Sequence, residues 1–429
     1  IKKQSNKHYM KVKFISNACC IVETNTGTQI LTDPWIENGV FEGSWCHFHK
    51  LKTTRNDLKN IDAIYVSHIH PDHYDDRFFN FPKDIPIIVL DHGFNFLHRK
   101  LLDGGYKNLI KIKDKETMKF KDLELTLFAP FVKHNFFEDN TKIGNLIDSA
   151  IVFQSDNQSI FNANDNQPNN DSCRELKSLF GNFDLAMMNY NNAGPYPSCF
   201  NNLTEEEKHI EHNNNLLRNI DFLHSNLKIL MPKYFLPFAG SYVIGGKNHF
   251  KNQYLGTTTW DKCIEILKNK EKAQQIKYVA LREQDIFDLD TGTSNKEYIP
   301  IDEYEVENYI KNVLAKIKYP YEKDSMPNIE KLIKDLVLSS SKMYERLNRI
   351  KLIPDMDVYI KVEDKSINVL SAENPKGKIE CSLDLRLLKR ILDRKSHWNN
   401  AEIGCHIDFN RSPNYFSLDI HTALQFLHL

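Results

Sequence analysis

Residues 67–73 read Ser-His-Ile-His-Pro-Asp-His, at the end of the apolar run Ile61–Ser67. Three imidazoles and a carboxylate packed this closely converge only where a buried strand ends in a sharp loop, and Pro71 stiffens that turn. His68 and His70, as alternate residues, would face one side and hold one metal ion. Asp72 and His73, on the far side of the turn, would reach a second ion about 3.5–4 Å away, as in two-metal sites. The alternative is an exposed His-rich loop or a bare H-x-H strand edge. The Asp between the histidines and the apolar strand before them argue against both.

A binuclear site needs a bridge and further ligands. Asp165 follows an apolar strand in Ser-Ile-Phe-Asn-Ala-Asn-Asp, and a carboxylate can span two cations and offset their mutual repulsion; a plain polar turn is the competing reading. His134, in Ala-Pro-Phe-Val-Lys-His-Asn, is the natural third imidazole for the first metal. His249 is the best placed by chain order to complete the second, although Gly-Lys-Asn-His-Phe is not a clean strand-end motif. His209, His212 and His224 fall on a solvated helical pattern and read as surface residues.

The surrounding pattern is layered. Lys11–Glu23 and Gln29–Trp35 read as a hairpin joined at Asn25-Thr26-Gly27, followed by short strands at Ile85–Leu90 and Leu109–Lys113 and by the pairs Met118–Phe128 and Ser149–Phe161. Ser172 with Glu175 and Thr204 with Glu207 have the spacing of capping boxes and start two helices. Strands at Asp184–Asn189 and Lys228–Pro237 follow. Strands with intervening helices in both halves imply an αββα sandwich over residues 1–257. Lys/Glu-rich helical spacing then marks an extension over 258–352, and 353–429 returns to a small α/β module. The stretch 303–351 reads as scaffold or as a homodimer surface.

Composition narrows the function. Lys and Arg total 56 against 57 Asp and Glu, so no global field is available to hold nucleic acid, and no basic stripe with interleaved aromatics is present. No run of about 18 apolar residues exists to span a bilayer. Eight cysteines without a C-x-x-C pair are expected as free buried thiols in a reducing cytoplasm. The chain opens Ile1-Lys2-Lys3 with neither an initiator Met nor a signal-peptide core, which suggests that the natural chain begins upstream.

The order Asp33, His68-x-His70-x-Asp72-His73, His134, Asp165 resembles the metallo-β-lactamase superfamily over roughly residues 11–255. The resemblance implies that fold, a bridging role for Asp165, and for Asp33 of Leu-Thr-Asp-Pro-Trp a role in orienting a ligand histidine through its other ring N–H. Asp33 and Asp72 are the carboxylates to which it gives catalytic roles. A narrower resemblance covers nearly the whole chain. Asp-Pro-Trp-Ile-Glu-Asn-Gly-Val-Phe-Glu-Gly-Ser-Trp (33–45), Asn-Ala-Gly-Pro-Tyr-Pro (192–197), Pro-Phe-Ala-Gly (237–240) and His-Trp-Asn-Asn-Ala-Glu-Ile-Gly (397–404) look like the CMP-N-acetylneuraminate hydroxylase branch. Animal members of that branch carry an N-terminal Rieske domain, which needs paired Cys and His ligands. Cys46-His47-Phe48-His49 and Cys405-His406 do not supply a matching set. The resemblance therefore implies a catalytic part whose electron-transfer domain is a separate protein, or chemistry that needs none.

Two reaction classes fit these ligands. Two irons would activate O₂ for hydroxylation, whereas two zinc or manganese ions would hold a hydroxide for hydrolysis of a phosphorylated or carbonyl substrate. The full-length resemblance favours an iron-dependent oxygenase acting on a polar, anionic, nucleotide-sugar-like small molecule. A non-catalytic relative with a decayed site is disfavoured by the ligands present. Trp35, Trp45 and Tyr196 are candidate aromatic walls for substrate. Trp398, Asn399 and Asn400 could hydrogen-bond a base or sugar, and Arg411 could meet a carboxylate or phosphate. Core packing and turn capping are the competing readings for all of these.

Overall fold

Residues 10–24 have the apolar pattern of one strand but fold as two. In the computed structural model, which describes residues 9–93, 96–131, 147–156, 158–271 and 275–429, Met10–Ser16 and Cys19–Thr24 pair antiparallel about a turn at Asn17. Asn17 has φ 43°, a left-handed conformation that Asn tolerates because its short amide can bond locally. The hairpin expected across Asn25-Thr26-Gly27 also forms, joining Cys19–Thr24 to Gln29–Thr32.

Two sheets stack face to face. The first is eight-stranded, in the order Thr293–Ser294, Ile286–Asp288, Met10–Ser16, Cys19–Thr24, Gln29–Thr32, Ala63–Tyr65, Ile87–Asp91, Leu109–Lys113. The second is seven-stranded, in the order Lys277–Tyr278, Tyr234–Pro237, Leu185–Met188, Gln158–Asn164, Ala150–Ser155, Leu123–Phe128, Thr117–Phe120. Val12, Val22, Ile88 and Tyr65 from one sheet meet Leu125, Ile151, Ile160 and Leu236 from the other in a dry core. On the outer faces, Leu97 and Leu101 of the helix Phe96–Asp103 cover the first sheet. Leu176, Leu223, Leu227 and Trp260 of three helices cover the second. The architecture is thus helix, sheet, sheet, helix.

Local signals explain the helix starts, with one correction. Thr204 caps Glu205–Leu230 in a full capping box with Glu207. Ser172 is not a cap: Asn169 caps Asn170–Phe180 by accepting from the Ser172 N–H at 2.9 Å. Asn169 has an extended backbone, φ −83° and ψ 178°, as a cap residue must.

The sandwich runs past residue 257. Ile286–Asp288 pairs with Met10–Ser16, Lys277–Tyr278 pairs with Tyr234–Pro237, and Trp260–Lys270 packs on the second sheet. The remaining helices do not stand apart either. Leu332, Leu336, Met343 and Leu347 of Ile329–Ile350 share one core with Trp398, Ile379 and Phe409 of the C-terminal module. Trp35, Phe41 and Trp45, from the loop after Asp33, belong to that same core. The module's sheet runs in the order Lys365–Leu370, Asp357–Val362, Lys378–Ser382, Asp408–Ser412. All eight cysteines are buried and free. Among the described residues no helix is long and apolar enough to cross a membrane.

Trp398 is 1% exposed at the centre of this shared core. Trp398→Ala should cost about 3–5 kcal/mol, the usual consequence of emptying a large aromatic site. A lower denaturant midpoint checks this, and an unchanged midpoint would show that the module packs independently.

Candidate metal centre

Strand topology assembles the site. Gln29–Thr32 and Ala63–Tyr65 run parallel, with Thr32 opposite Tyr65, so Asp33 and Ser67 emerge at the same sheet edge. In the facing sheet Gln158–Asn164 and Leu185–Met188 are also parallel, with Asn164 opposite Met188, so Asp165 and Asn189 emerge together. The loop after Ala63–Tyr65 then turns back on itself, with the His73 and Tyr74 N–H groups both donating to the His70 carbonyl at 3.0 and 2.8 Å.

The side chains form two groups that share one carboxylate. Ligand atoms of His68, His70 and Asp165 lie within 4.8 Å of one another, and so do those of Asp72, His73 and Asp165. His68 Nε2 is 2.8 Å from His70 Nδ1 and 3.8 Å from Asp165 Oδ2. His73 Nε2 is 3.3 Å from both Asp72 Oδ2 and Asp165 Oδ2. Donors about 2.0–2.1 Å from a common tetrahedral ion stand roughly 3.3 Å apart, so these spacings fit metal binding.

Asp33 orients one imidazole in each group. Its carboxylate is completely buried and accepts from the Ser67 N–H at 2.7 Å, the Ser67 hydroxyl at 2.8 Å and His73 Nδ1 at 2.9 Å. With its proton given to Asp33, the Ser67 hydroxyl is left to accept from His68 Nδ1 at 3.0 Å. The network assigns the N–H to Nδ1 on both rings and leaves both Nε2 lone pairs facing inward. His73 Nε2 is buried with no hydrogen-bond partner and faces two carboxylate oxygens. Only a proton or a cation reconciles that arrangement.

The electrostatics agree. Burial opposes a charge on His73, but Asp72, Asp165 and Asp33 outweigh it and raise its pKa well above the ordinary value. Burial, with His73 and His70 beside it, holds His68 neutral. Burial raises the Asp165 carboxyl, and the positive charge on His73 beside it leads the effects that more than reverse this. Asp33 is raised by burial against the pull of His73 and Ser67. His68 is thus held neutral and Asp165 ionised, the states in which an imidazole and a carboxylate can meet a cation.

Supporting residues had no signal in a single sequence. Asn17 donates to Asp72 Oδ2 at 3.3 Å and accepts the Ser241 N–H at 3.0 Å. Asn189 donates to Asp165 Oδ1 at 3.1 Å and is itself fixed by the Asn191 N–H at 2.8 Å. Asp148 Oδ1 lies 3.7 Å from His68 Nε2. Tyr242 is within electrostatic reach of Asp72 and Asp165 and stacks on Trp45, with ring centroids 3.5 Å apart. Exposed His397, within reach of His70, opens the quoted motif at 397–404. Asp165 is the open side of the cluster, with 26% of its side chain exposed.

Other expected residues lie elsewhere. His134 is outside the described residues. His249 joins neither ligand group: it sits in the turn Gly246–Tyr254, its Nδ1 bonded to the Gly246 carbonyl at 3.0 Å. The preceding strand, Val243–Ile244, pairs with Trp45–Cys46 and carries the chain away from the cluster edge. Trp35, 0% exposed, and Trp398, 1% exposed, are core residues and offer substrate no surface. Trp45 is likewise buried and reaches the site through Tyr242 and through Phe41, whose ring lies 6.2 Å from that of His70. Arg411 is buried over the Tyr196 and Phe200 rings, with Nε bonded to Asn414 at 2.8 Å, so its guanidinium is a packing element. Asn399 and Asn400 are half-buried in the short helix Trp398–Ile403.

Residues 28–215 match the family described as a beta-lactamase superfamily domain. That match covers 188 of the 429 residues and lies within the helix, sheet, sheet, helix sandwich, a layering similar to that of the metallo-β-lactamase fold. A Mycolicibacterium smegmatis relative, named as a Rieske 2Fe-2S iron-sulfur protein, is 30% identical over 200 residues, 44% of this chain and 36% of its own length. The cytidine monophosphate-N-acetylneuraminic acid hydroxylase of Asterias rubens is 31% identical over 115 residues, 24% of this chain and 16% of its own. This chain spans well under half the length of these relatives. Among solved structures, an isothiocyanate hydrolase from Delia radicum gut bacteria superimposes with TM-score 0.46 at 19% identity, covering 65% of this chain and 98% of that one.

Asp33→Asn keeps the shape but weakens the acceptor for His73 and for the Ser67 hydroxyl that positions His68. It should lower metal affinity about 10–100-fold, the usual cost of losing an outer-shell partner. Competition with a chromophoric chelator measures this, and unchanged affinity would remove Asp33 from the site.

Proposed function

We propose that this chain is the catalytic part of a dinuclear-iron oxygenase that hydroxylates a polar, anionic small molecule, with electrons supplied by a separate Rieske-type protein. The observation that carries a two-metal reading is the sharing of Asp165 between the two ligand groups. His68 and His70 would hold one ion, Asp72 and His73 the other, and Asp165 would bridge them; His134 is the expected further imidazole on the first ion.

The donor set is nitrogen and oxygen only, which serves iron, zinc and manganese alike. Support for oxygen chemistry comes instead from the names of the relatives, one a hydroxylase of a nucleotide-linked sugar acid and another an iron–sulfur protein. Bound irons would supply the activation of O₂. The chain's own residues set the conditions for it. Asp33 and Ser67 lock the imidazole orientations. Asn17 and Asn189 restrain the carboxylates. Burial of His68 and His73 excludes water from the inner side, so substrate would approach over Asp165.

Protein purified aerobically from iron-replete medium should contain about two irons per chain and show visible absorption that anaerobic reduction bleaches and O₂ restores. Asp165→Asn should lower the bound metal to one ion or fewer. Stoichiometric zinc with no redox-dependent spectrum would overturn the oxygenase in favour of a hydrolase. No metal at all would overturn both.

A further inference from the structure

Behind Tyr242 lies a buried polar cluster that the metal chemistry does not use. It joins the segment at Ser198 and Cys199, the turn Gly246–Tyr254 and the C-terminal module at Cys405. Cys199 and Cys405 are 0% exposed and Lys251 is 3% exposed. Lys251 Nζ donates to Asp408 Oδ1 at 2.7 Å, to the Cys405 carbonyl at 2.9 Å and to Cys199 Sγ at 3.4 Å. Ser198 Oγ lies 3.7 Å from Cys199 Sγ and 3.8 Å from Cys405 Sγ, and the two thiols are within hydrogen-bonding reach of each other.

A buried ammonium is costly unless its charge is met. Here one of its three N–H donors is aimed at sulfur, an arrangement that stabilises a thiolate. Cys405 is placed by a Schellman cap that ends the helix Trp398–Ile403: its φ is 59°, its N–H bonds to the Glu402 carbonyl at 3.0 Å, and the His406 N–H bonds to the Ala401 carbonyl at 2.9 Å. Burial pushes up Cys19, Cys20, Cys46, Cys173, Cys263 and Cys381. Burial acts on Cys199 in the same direction, but the hydrogen bond with Cys405 and the Lys251 charge outweigh it and bring this thiol down to about 7.

We propose that Cys199 and Cys405 are a peroxide-oxidisable dithiol, with Lys251 holding Cys199 as the attacking thiolate. The Cys199 sulfur attacks one oxygen of hydrogen peroxide; the O–O bond breaks, a sulfenic acid forms, and the departing hydroxide takes up the thiol's proton as water. Cys405 then attacks the Cys199 sulfur; the S–S bond forms, the S–O bond breaks, and a second water leaves with the Cys405 proton. Two thiols and one peroxide give one disulfide and two waters. The bond ties the sandwich to the C-terminal module directly behind Tyr242, whose electrostatic neighbours are Cys405, Asp72, Cys199 and Asp165. The inference does not depend on which metal the site takes or which reaction it performs.

The test is to treat the folded full chain with about one equivalent of hydrogen peroxide, quench in acid, alkylate in denaturant and map the peptides by mass. Six alkylated cysteines and a linked Cys199–Cys405 peptide are expected, with formation slowed roughly tenfold in Lys251→Met. In Cys405→Ser, Cys199 should stop at sulfenic acid and be captured by a dimedone-type probe. Eight alkylated cysteines, or a disulfide elsewhere, would overturn the pairing. A linked peptide whose rate ignores Lys251→Met, or no probe adduct on Cys199, would overturn the assignment of the attacking thiolate.

Discussion

The site depends on the burial of one carboxylate. Asp33 has no solvent access, and an isolated charge there would be far too costly to keep. Three hydrogen bonds meet it, from the Ser67 amide, the Ser67 hydroxyl and His73 Nδ1. The same bonds determine where two imidazole lone pairs point, one in each ligand group. Parallel pairing of Gln29–Thr32 with Ala63–Tyr65 is what makes this possible, since it brings two strand ends out side by side. The facing sheet repeats the device with Asp165 and Asn189. Two sheets, each delivering an acid and its partner to one shared edge, produce a cluster that neither sheet could build alone.

Holding these groups together strains the backbone. Asn17, Asp33, Asn164 and Ala239 all have positive φ, at 43°, 37°, 48° and 53°. Each stands at a strand end beside the cluster, and Asn17 and Ala239 are joined by a backbone hydrogen bond of 3.1 Å. Asn and Asp tolerate this conformation, but at Ala239, which has no polar side chain to bond locally, it costs about 1–3 kcal/mol and persists only where the surroundings over-determine it. The sandwich core and the Asp33 network supply that determination.

How much of this can be read in the sequence follows from the range of the interactions. His68, His70, Asp72 and His73 are legible because strand, turn and ligands lie within one short segment. Asp165 is legible because an apolar strand ends just before it. Asn17 is not, because the run around it stays apolar on both sides and hides a turn. Nor are Asp148, Asn189 and Tyr242, whose roles exist only once distant segments meet. Chain order misplaces His249, since the strand before it pairs with Trp45–Cys46 and not along the site edge. Trp35, Trp398 and Arg411 show a different limit: an aromatic or basic residue in a distinctive motif can serve packing as easily as recognition, and only burial separates the two.

The shared core explains why motif-like residues accumulate so far from the metal ligands. Trp45 stacks on Tyr242, donates its indole N–H to the Ile403 carbonyl at 3.2 Å, and packs against Phe41, whose own carbonyl is 3.0 Å from His406 Nε2. Tyr242 in turn neighbours Asp72 and Asp165. The C-terminal module is thus linked to the wall of the site through packed aromatic side chains. Residues 397–404 can therefore serve the site by positioning it, and the half-buried Asn399 and Asn400 are held by the same short helix that seats Trp398 in the core.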